Sequence, residues 1–373
     1  MLEILFCTLV AFAISLVLTP EIIKIAHAYN KHDEINERKI HTSNVPRFGG
    51  LAVFFGFLIA TLLFSTLWQY MINVHLIIAL VLIVIIGFRD DFLPLKPKFK
   101  LAVEILASLL IIHFGNIRIE SMHGLFGIGE LPLWTSYGLT VFTLIVVTNA
   151  VNLIDGIDGL AGSFSLLMFG GYGCWFYSAN DLATSIFCFG MVGAILGFLI
   201  FNYRTLIFMG DTGSLVIGFL AAAISLIFLQ DNAQLPLDSP LKFPSPVFFI
   251  CSILGFPLID TIRVFAIRVA SGRSPFSPDK NHLHHSLISL DLPHYQATAI
   301  LCTTNMAFVG LAYLGQGVGD TVGILMATGL AFGLAHWLKK RSDAYLAAKK
   351  AGEPAPHIEV AAHPEPHPQE ISL

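Results

Sequence analysis

Long apolar stretches alternate with short polar connections along the chain, and the stretches are helix-length. Hydrocarbon about 30 Å thick is crossed by about 20 mostly apolar helical residues, and lipid accepts a backbone only as helices or a closed barrel. Eleven runs fit: Leu2 to Leu18, Phe48 to Trp68, Val74 to Phe88, Leu101 to Phe114, Leu133 to Leu153, Leu160 to Tyr177, Leu182 to Phe201, Leu215 to Leu229, Val247 to Val264, Ala297 to Leu314 and Val322 to Leu338. They predict an all-α, polytopic membrane bundle of about eleven transmembrane helices. The first run carries Glu3 instead of a basic start and has no small-residue cleavage site, so it reads as a span and not as a leader.

Lysine and arginine set the orientation. Nineteen of the 21 lie after runs one, three, seven and nine and in the C-terminal stretch, while the opposite connections hold only Arg118 and Lys242. This predicts an N-terminus outside, a C-terminus in the cytoplasm and an odd number of spans in a cell inner membrane. Composition agrees: 55% of the 373 residues are hydrophobic and 12% charged, about half the charge of a soluble domain, with a mean hydropathy of +0.75. Soluble enzymes, secreted disulfide scaffolds, collagen-like fibres and disordered chains are excluded together. The net charge of -4 averages two sides of a membrane and decides nothing. Cys7, Cys174, Cys188, Cys251 and Cys302 all lie in apolar runs and read as small buried hydrophobes.

Residues 1–338 are expected to form the membrane domain, and 339–373 a disordered cytoplasmic tail rich in Pro, His and Glu. A solvated tail is the simpler reading of its histidines than a metal site. No repeat of fixed period and no inverted pair of interrupted helices is visible.

Acidic groups at membrane depth are costly and point to function. Four polar clusters occur, all on the side assigned to the cytoplasm. Gly87 to Asp91 closes run three; Asn149 to Gly159 joins runs five and six; Asn202 and Gly210-Asp211-Thr212-Gly213-Ser214 lie between seven and eight; Pro278 to His285 follows nine. Adjacent Asp90 and Asp91 need a cation or a proton between them, unless they form a solvated acidic turn paired with Lys96, Lys98 and Lys100. Asn149, Asn152, Asp155 and Asp158 recur every third residue, so a helix would array them as one polar stripe. Such a stripe could bind a sugar, a base or a metal-bound water, or simply pack against other helices. Asp211 precedes a helix and could be its N-cap. Beside the other carboxylates it also suits a hard cation, magnesium or manganese, which takes one or two carboxylates plus phosphate oxygens. His282, His284 and His285 lack metalloprotease spacing. With Arg268, Arg273 and Lys280 they look like readers of phosphate and sugar oxygens, where positive-inside charge would explain the basic residues alone. Together these features imply phosphoryl transfer at the membrane surface, between a soluble and a lipidic substrate.

The ordered set resembles the polyprenyl-phosphate N-acetylhexosamine-1-phosphate transferases. It comprises Gly87 to Asp91, Asn149 to Gly162, Asn202 through Ser214, and Gly272-Arg273-Ser274-Pro275-Phe276-Ser277-Pro278-Asp279-Lys280-Asn281-His282-Leu283-His284-His285, with Arg47-Phe48-Gly49-Gly50 ahead of them. The resemblance spans roughly Arg38 to Ser286. It implies transfer of a hexosamine 1-phosphate from a UDP-N-acetylhexosamine to a polyprenyl phosphate, with magnesium or manganese, as the lipid-linked first step of a cell-envelope polysaccharide such as O-antigen. By motif, Asp90 and Asp91 would serve the lipid phosphate and metal, one as base, and Asp211 would be the chief metal ligand. Asn152, Asp155, Asp158 and Asn202 would line the nucleotide-sugar pocket, with catalytic work falling to Asp155 and Asp158. Arg273, His282, His284 and His285 would hold sugar and diphosphate, and Lys98 and Lys100 would steer phosphates. Leu283 interrupts the three adjacent histidines usual in the branch using UDP-MurNAc-pentapeptide, so the loop and the eleven runs resemble the UDP-GlcNAc branch. Beyond these substrates the expected partner is the membrane, a homodimer being compatible and nucleic acid not expected. A cation-coupled transporter would place its carboxylates near the midplane. An intramembrane Asp hydrolase would leave the histidine loop unexplained.

Overall fold

The structure is a computed structural model and describes residues 1–29, 45–67, 73–274 and 281–351. Among these residues it is all helix, with no strand beyond an isolated bridge between Ser121 and Glu130. The helices are α1 (Leu2–Ala28), α2 (Gly49–Leu67), α3 (Val74–Phe92), α4 (Pro97–His113), α5 (Leu133–Leu153), α6 (Leu160–Ser178), α7 (Leu182–Asn202), α8 (Gly210–Gln234), α9 (Pro246–Ile253), α10 (Gly255–Ala270), α11 (Leu283–Ile288), α12 (His294–Leu314) and α13 (Asp320–Ala351). Each expected apolar run falls on one helix except run nine, which falls on two, and Trp68 at the end of run two lies outside the described residues. By length and composition α1, α5, α7, α8, α12 and α13 can each cross a membrane, and the bent pair α9–α10 makes a seventh. Large apolar side chains such as Leu9, Ile59, Ile85, Phe142 and Leu325 stay exposed on the outer faces, as hydrocarbon surroundings allow.

Helix α8 is the axis. Nearly all of its residues from Thr212 to Asn232 are buried, packed by α3, α5 and α2. Helices α1 and α7 approach just as closely, since a Cβ on Gly193 would lie 2.1 Å from the Thr8 carbonyl oxygen; small residues set such distances between membrane helices. All five cysteines are free, and Cys174 is exposed, against the expectation that each would be buried.

Run nine differs from its expectation. It is two helices bent by 76° at Leu254. Pro257 has no N–H for the carbonyl of Ile253, one turn back. Asn305 of α12 repairs the break: its Nδ2 donates to the Ile253 carbonyl at 3.1 Å and its Oδ1 accepts from the Phe256 N–H at 2.9 Å. Lipid offers no replacement for either bond. Asn305→Leu is therefore expected to lower stability by about 2–4 kcal/mol, seen as a fall in thermal midpoint in detergent; an unchanged midpoint would show that the bend needs no such support.

Helix α13 corrects a second expectation. The chain stays helical through Lys339 to Ala351, where a disordered tail was expected to begin. Ser342 bonds Ser289 at 2.6 Å, and Asp291 accepts from Tyr345 at 2.8 Å and Lys349 at 2.6 Å, so the extension is fastened beside α11. The Pro- and His-rich stretch from 352 onward lies outside the described residues.

Alternate connections segregate to opposite ends of the bundle. At one end the Phe208 N–H donates to the Pro46 carbonyl at 2.8 Å, Asp158 meets Thr205 and His294, and Asp91 meets Thr212. At the other, Gln230 donates to the Asn116 carbonyl, Phe126 N–H to Thr321, Trp175 to the Leu241 carbonyl and Phe248 N–H to Asp320. The described residues of every polar cluster singled out in the sequence sit at the first end, while Pro278 to Lys280 of the fourth lie outside the described residues.

Candidate active site

Helix α3 carries its last turns against the start of α8. Gly87 permits this: a Cβ there would lie 2.8 Å from both the Asp211 carbonyl oxygen and the Thr212 Cα. The two adjacent aspartates then do different things. Asp91 turns both oxygens to the first turn of α8, accepting from the Asp211 N–H at 2.9 Å, the Thr212 N–H at 2.8 Å and the Thr212 hydroxyl at 2.6 Å. It caps a helix from outside, meeting free N–H groups and the positive end of the dipole. Asp211, expected ahead of the helix as its cap, is instead the second residue of α8. Asp90 accepts from the Leu95 N–H at 2.7 Å on Oδ1 and pairs through Oδ2 with Lys100 at 2.9 Å. The Lys100 ammonium also bonds Asp211 Oδ2.

Two carboxylates thus already share a positive charge. Among the described residues no group of three or more His, Cys, Asp and Glu could hold a metal ion. Magnesium needs only one or two carboxylates when phosphate oxygens complete its shell, so Asp90 and Asp211 fit a divalent cation, with the ammonium marking the position. Asp91 fits one poorly, because both its oxygens are committed to α8.

The expected stripe from Asn149 to Asp158 does not form on one helix. Helix α5 ends at Leu153 and residues 154–159 turn, which sends each side chain elsewhere. Asn149 donates to Glu104 of α4 at 2.8 Å, and Asn152 accepts from Ser214 at 2.6 Å. Asp158 is buried, accepting from Thr205 at 2.8 Å and pairing with His294 at 2.9 Å. Asn202 is buried as well, accepting from the Gly159 N–H at 2.8 Å and donating to the Ile207 carbonyl at 2.9 Å. Asp158 and Asn202 are each held by neighbouring segments, and Asp158 Oδ1 is buried with no hydrogen-bond partner among the described residues. Asp155 is partly open. Burial, reinforced by the charges of Asp211, Asp91 and Asp158 and opposed by Arg47, pushes its carboxyl up to about 7. A carboxyl at that value can take or give a proton near neutrality.

The histidine segment reaches the same place. A Cβ on Gly156 would lie 2.4 Å from His284 Nε2, so the α5–α6 turn packs directly on that ring. Burial, then the neighbouring His285, lowers His284 to about 3, which keeps it neutral. His282 Nδ1 lies 2.7 Å from Asp260 Oδ2, and Asp260 Oδ1 accepts from the Leu283 N–H and from Arg263, each at 3.0 Å. Arg263 also donates to the Asn281 carbonyl. His285 is partly exposed, and Arg273 is exposed beyond α10. Lys98 is exposed on the first turn of α4, while Lys100 alone of that pair reaches the aspartates. Pro275 to Lys280, which include Pro278, Asp279 and Lys280, lie outside the described residues.

Glu104, Asp260, Arg263 and His294 were missed in the sequence. Glu104 and Asp260 had a signal, being lone carboxylates within apolar runs, with Arg263 one turn after Asp260. His294 had none, for nothing in spacing links it to Asp158.

Comparison with known proteins places this geometry. Residues 73–229, from α3 through most of α8, match the model of glycosyl transferase family 4. A Yersinia pestis protein named undecaprenyl-phosphate alpha-N-acetylglucosaminyl 1-phosphate transferase is 32% identical over 297 residues, 77% of this chain and 78% of its own length. The protein of that name from Escherichia coli strain K12 is 32% identical over 300 residues, 79% of this chain and 78% of its own. A Bacillus subtilis protein named "Probable undecaprenyl-phosphate N-acetylglucosaminyl 1-phosphate transferase" is 29% identical over 310 residues, 83% and 84% of the two chains. The matched segment holds Asp90, Asp91, Lys100, Asp155 and Asp211, and the relatives align well beyond it: the chain belongs to glycosyl transferase family 4.

Proposed function

We propose that this chain transfers N-acetylglucosamine 1-phosphate from UDP-GlcNAc to undecaprenyl phosphate, giving undecaprenyl-diphosphate-GlcNAc and UMP. The observation carrying this is a set of three contacts that bring distant segments together at one end of the bundle: Asp91 of α3 against the start of α8, Lys100 between Asp90 and Asp211, and His284 on Gly156. Relatives named for this transfer support the lipid and the sugar. The one-ended placement of the carboxylates speaks against a transporter, which needs its site near the midplane.

A phosphate oxygen of the lipid attacks the β-phosphorus of the nucleotide sugar, a new P–O bond forms, and the bond bridging the two nucleotide phosphates breaks to release UMP. Asp90 and Asp211 would hold magnesium, or manganese in its place, which when bound supplies positive charge to the phosphate oxygens. Asp155, titrating near neutrality, takes the proton of the lipid phosphate. Arg273, His285 and Lys98, exposed or partly so at this end, contribute donors to sugar and diphosphate. Asp91, Asp158, Asn202, His282 and His284 hold the walls, with Asn152 fixed to Ser214. Helices α1 to α8, the α9–α10 pair, α12 and α13 make eleven crossings of an inner membrane. The N-terminus lies outside and this end of the bundle faces the cytoplasm, as the lysine and arginine count supports. Residues 1–338 form the transferase unit.

Purified chain given magnesium, undecaprenyl phosphate and radiolabelled UDP-GlcNAc is expected to move label into the organic phase with equimolar UMP, and EDTA to stop it. Label from another UDP-N-acetylhexosamine alone, UDP-MurNAc-pentapeptide included, would overturn the sugar. No transfer from any donor would overturn the reaction.

A further inference from the structure

Lys100 and Glu104 stand one helical turn apart on the same side of α4. Lys100 gives its ammonium to Asp90 and Asp211. Glu104 is 2% exposed and takes one hydrogen bond from Asn149. An amide supplies no counter-charge, and a carboxylate held that deep is costly without one. The charge of Lys100 attracts Glu104, while that of Asp211 repels it.

A divalent cation entering between Asp90 and Asp211 needs the oxygens that the ammonium now holds. Two cations cannot share them at contact distance. The ammonium must leave, and the flexible four-carbon stem of lysine lets it swing toward the next turn of its own helix. We propose that Glu104 is a second seat for Lys100, which moves there from Asp90 and Asp211 when a divalent cation binds.

Without the cation, Lys100 keeps two carboxylates from repelling each other. With it, Lys100 neutralises Glu104, and the site exchanges one cation for another without leaving a buried charge unpaired. Glu104 is then a positioning residue that acts through Lys100 and touches no reacting atom. The inference rests on the cation reading given above for Asp90 and Asp211.

The test is Mn2+ binding to the full chain in detergent without substrates, read from the electron paramagnetic resonance signal of free Mn2+. Glu104→Gln keeps an oxygen for Asn149 but removes the seat, and is expected to weaken Mn2+ binding about tenfold. Lys100→Met is expected to tighten it. In the Lys100→Met background, Glu104→Gln is expected to change affinity less than about twofold, because no ammonium remains to be seated. Equal weakening in both backgrounds would show Glu104 acting only as a distant negative charge, and would overturn the proposal, as would unchanged affinity in Glu104→Gln alone. Should Glu104→Gln fail to fold, Glu104→Asp, one methylene short, serves the same comparison with the same criterion. Wild-type chain that binds no Mn2+, either alone or with undecaprenyl phosphate added to supply phosphate oxygens, would overturn the cation reading itself and this proposal with it, a result distinct from all the others.

Discussion

Asp211→Asn is expected to cut transfer of N-acetylglucosamine 1-phosphate by about 10³-fold or more while leaving the fold intact. The substitution keeps size and shape and removes one negative charge. That charge is half of the pair holding Lys100, and under the proposed reaction half of what holds the cation against the phosphates. Removing one electrostatic stabiliser from a site of this kind costs about 10²–10³ in rate, and a lost metal ligand also lowers occupancy. The fold should not suffer, because the contact tying α8 to α3 runs through the Asp211 backbone N–H and not its side chain. Asp90, Asp91, Asp155 and Asp158 crowd this end beside it, so one negative charge fewer relieves repulsion. Label transfer from UDP-GlcNAc and the thermal midpoint, measured on the same preparation, check both halves. Activity within tenfold of wild type would remove Asp211 from the centre of the reaction.

What could be read from the sequence was whatever repeats along the chain. Apolar length gave the helices, and lysine and arginine asymmetry grouped the connections, so the gathering of Asp90, Asp155, Asp211 and His284 at one end was legible before any coordinate. Partner choice was not. Asp90 and Asp91 are neighbours in sequence and equal in composition, yet one bonds a lysine of α4 and the other the backbone of α8. Nothing local distinguishes them, because the difference lies in which way α8 arrives. The three-residue recurrence from Asn149 to Asp158 misled for a related reason. A polar period of three suggests one helical face only if the helix continues, and here it stops at Leu153 so that the turn can meet His284. The break in run nine was written in Pro257, but its tolerance depends on Asn305, about fifty residues away. Glu104 and Asp260 are visible as carboxylates in apolar runs, but an isolated charge carries no spacing that names its partner.

The unequal roles of the aspartate pair make the second large prediction. Asp91→Ala is expected to lower stability by about 2–4 kcal/mol and to abolish transfer, whereas Asp90→Asn should change stability by less than about 1 kcal/mol. Asp91 accepts three hydrogen bonds at the start of α8, two of them from backbone N–H groups. A carboxylate there also meets the positive end of a long helix, an interaction worth about 0.3–1 kcal/mol at a surface and more where solvent is scarce. Asp90, in contrast, gives the Leu95 N–H an oxygen that asparagine would also provide, and loses only its charge toward Lys100. Thr212→Val removes the hydroxyl alone and is expected to cost about 1 kcal/mol. Thermal unfolding in detergent orders the three variants, and hydrogen exchange localises the loss: in Asp91→Ala the amides of Asp211 and Thr212 should exchange faster, while those deeper in α8 stay protected. The activity loss then follows from position, since Asp211 leaves its place opposite Lys100 when the first turn of α8 frays. An Asp91→Ala chain as stable as wild type but inactive would mean that Asp91 works on substrate or cation directly, and that its seat on α8 is incidental.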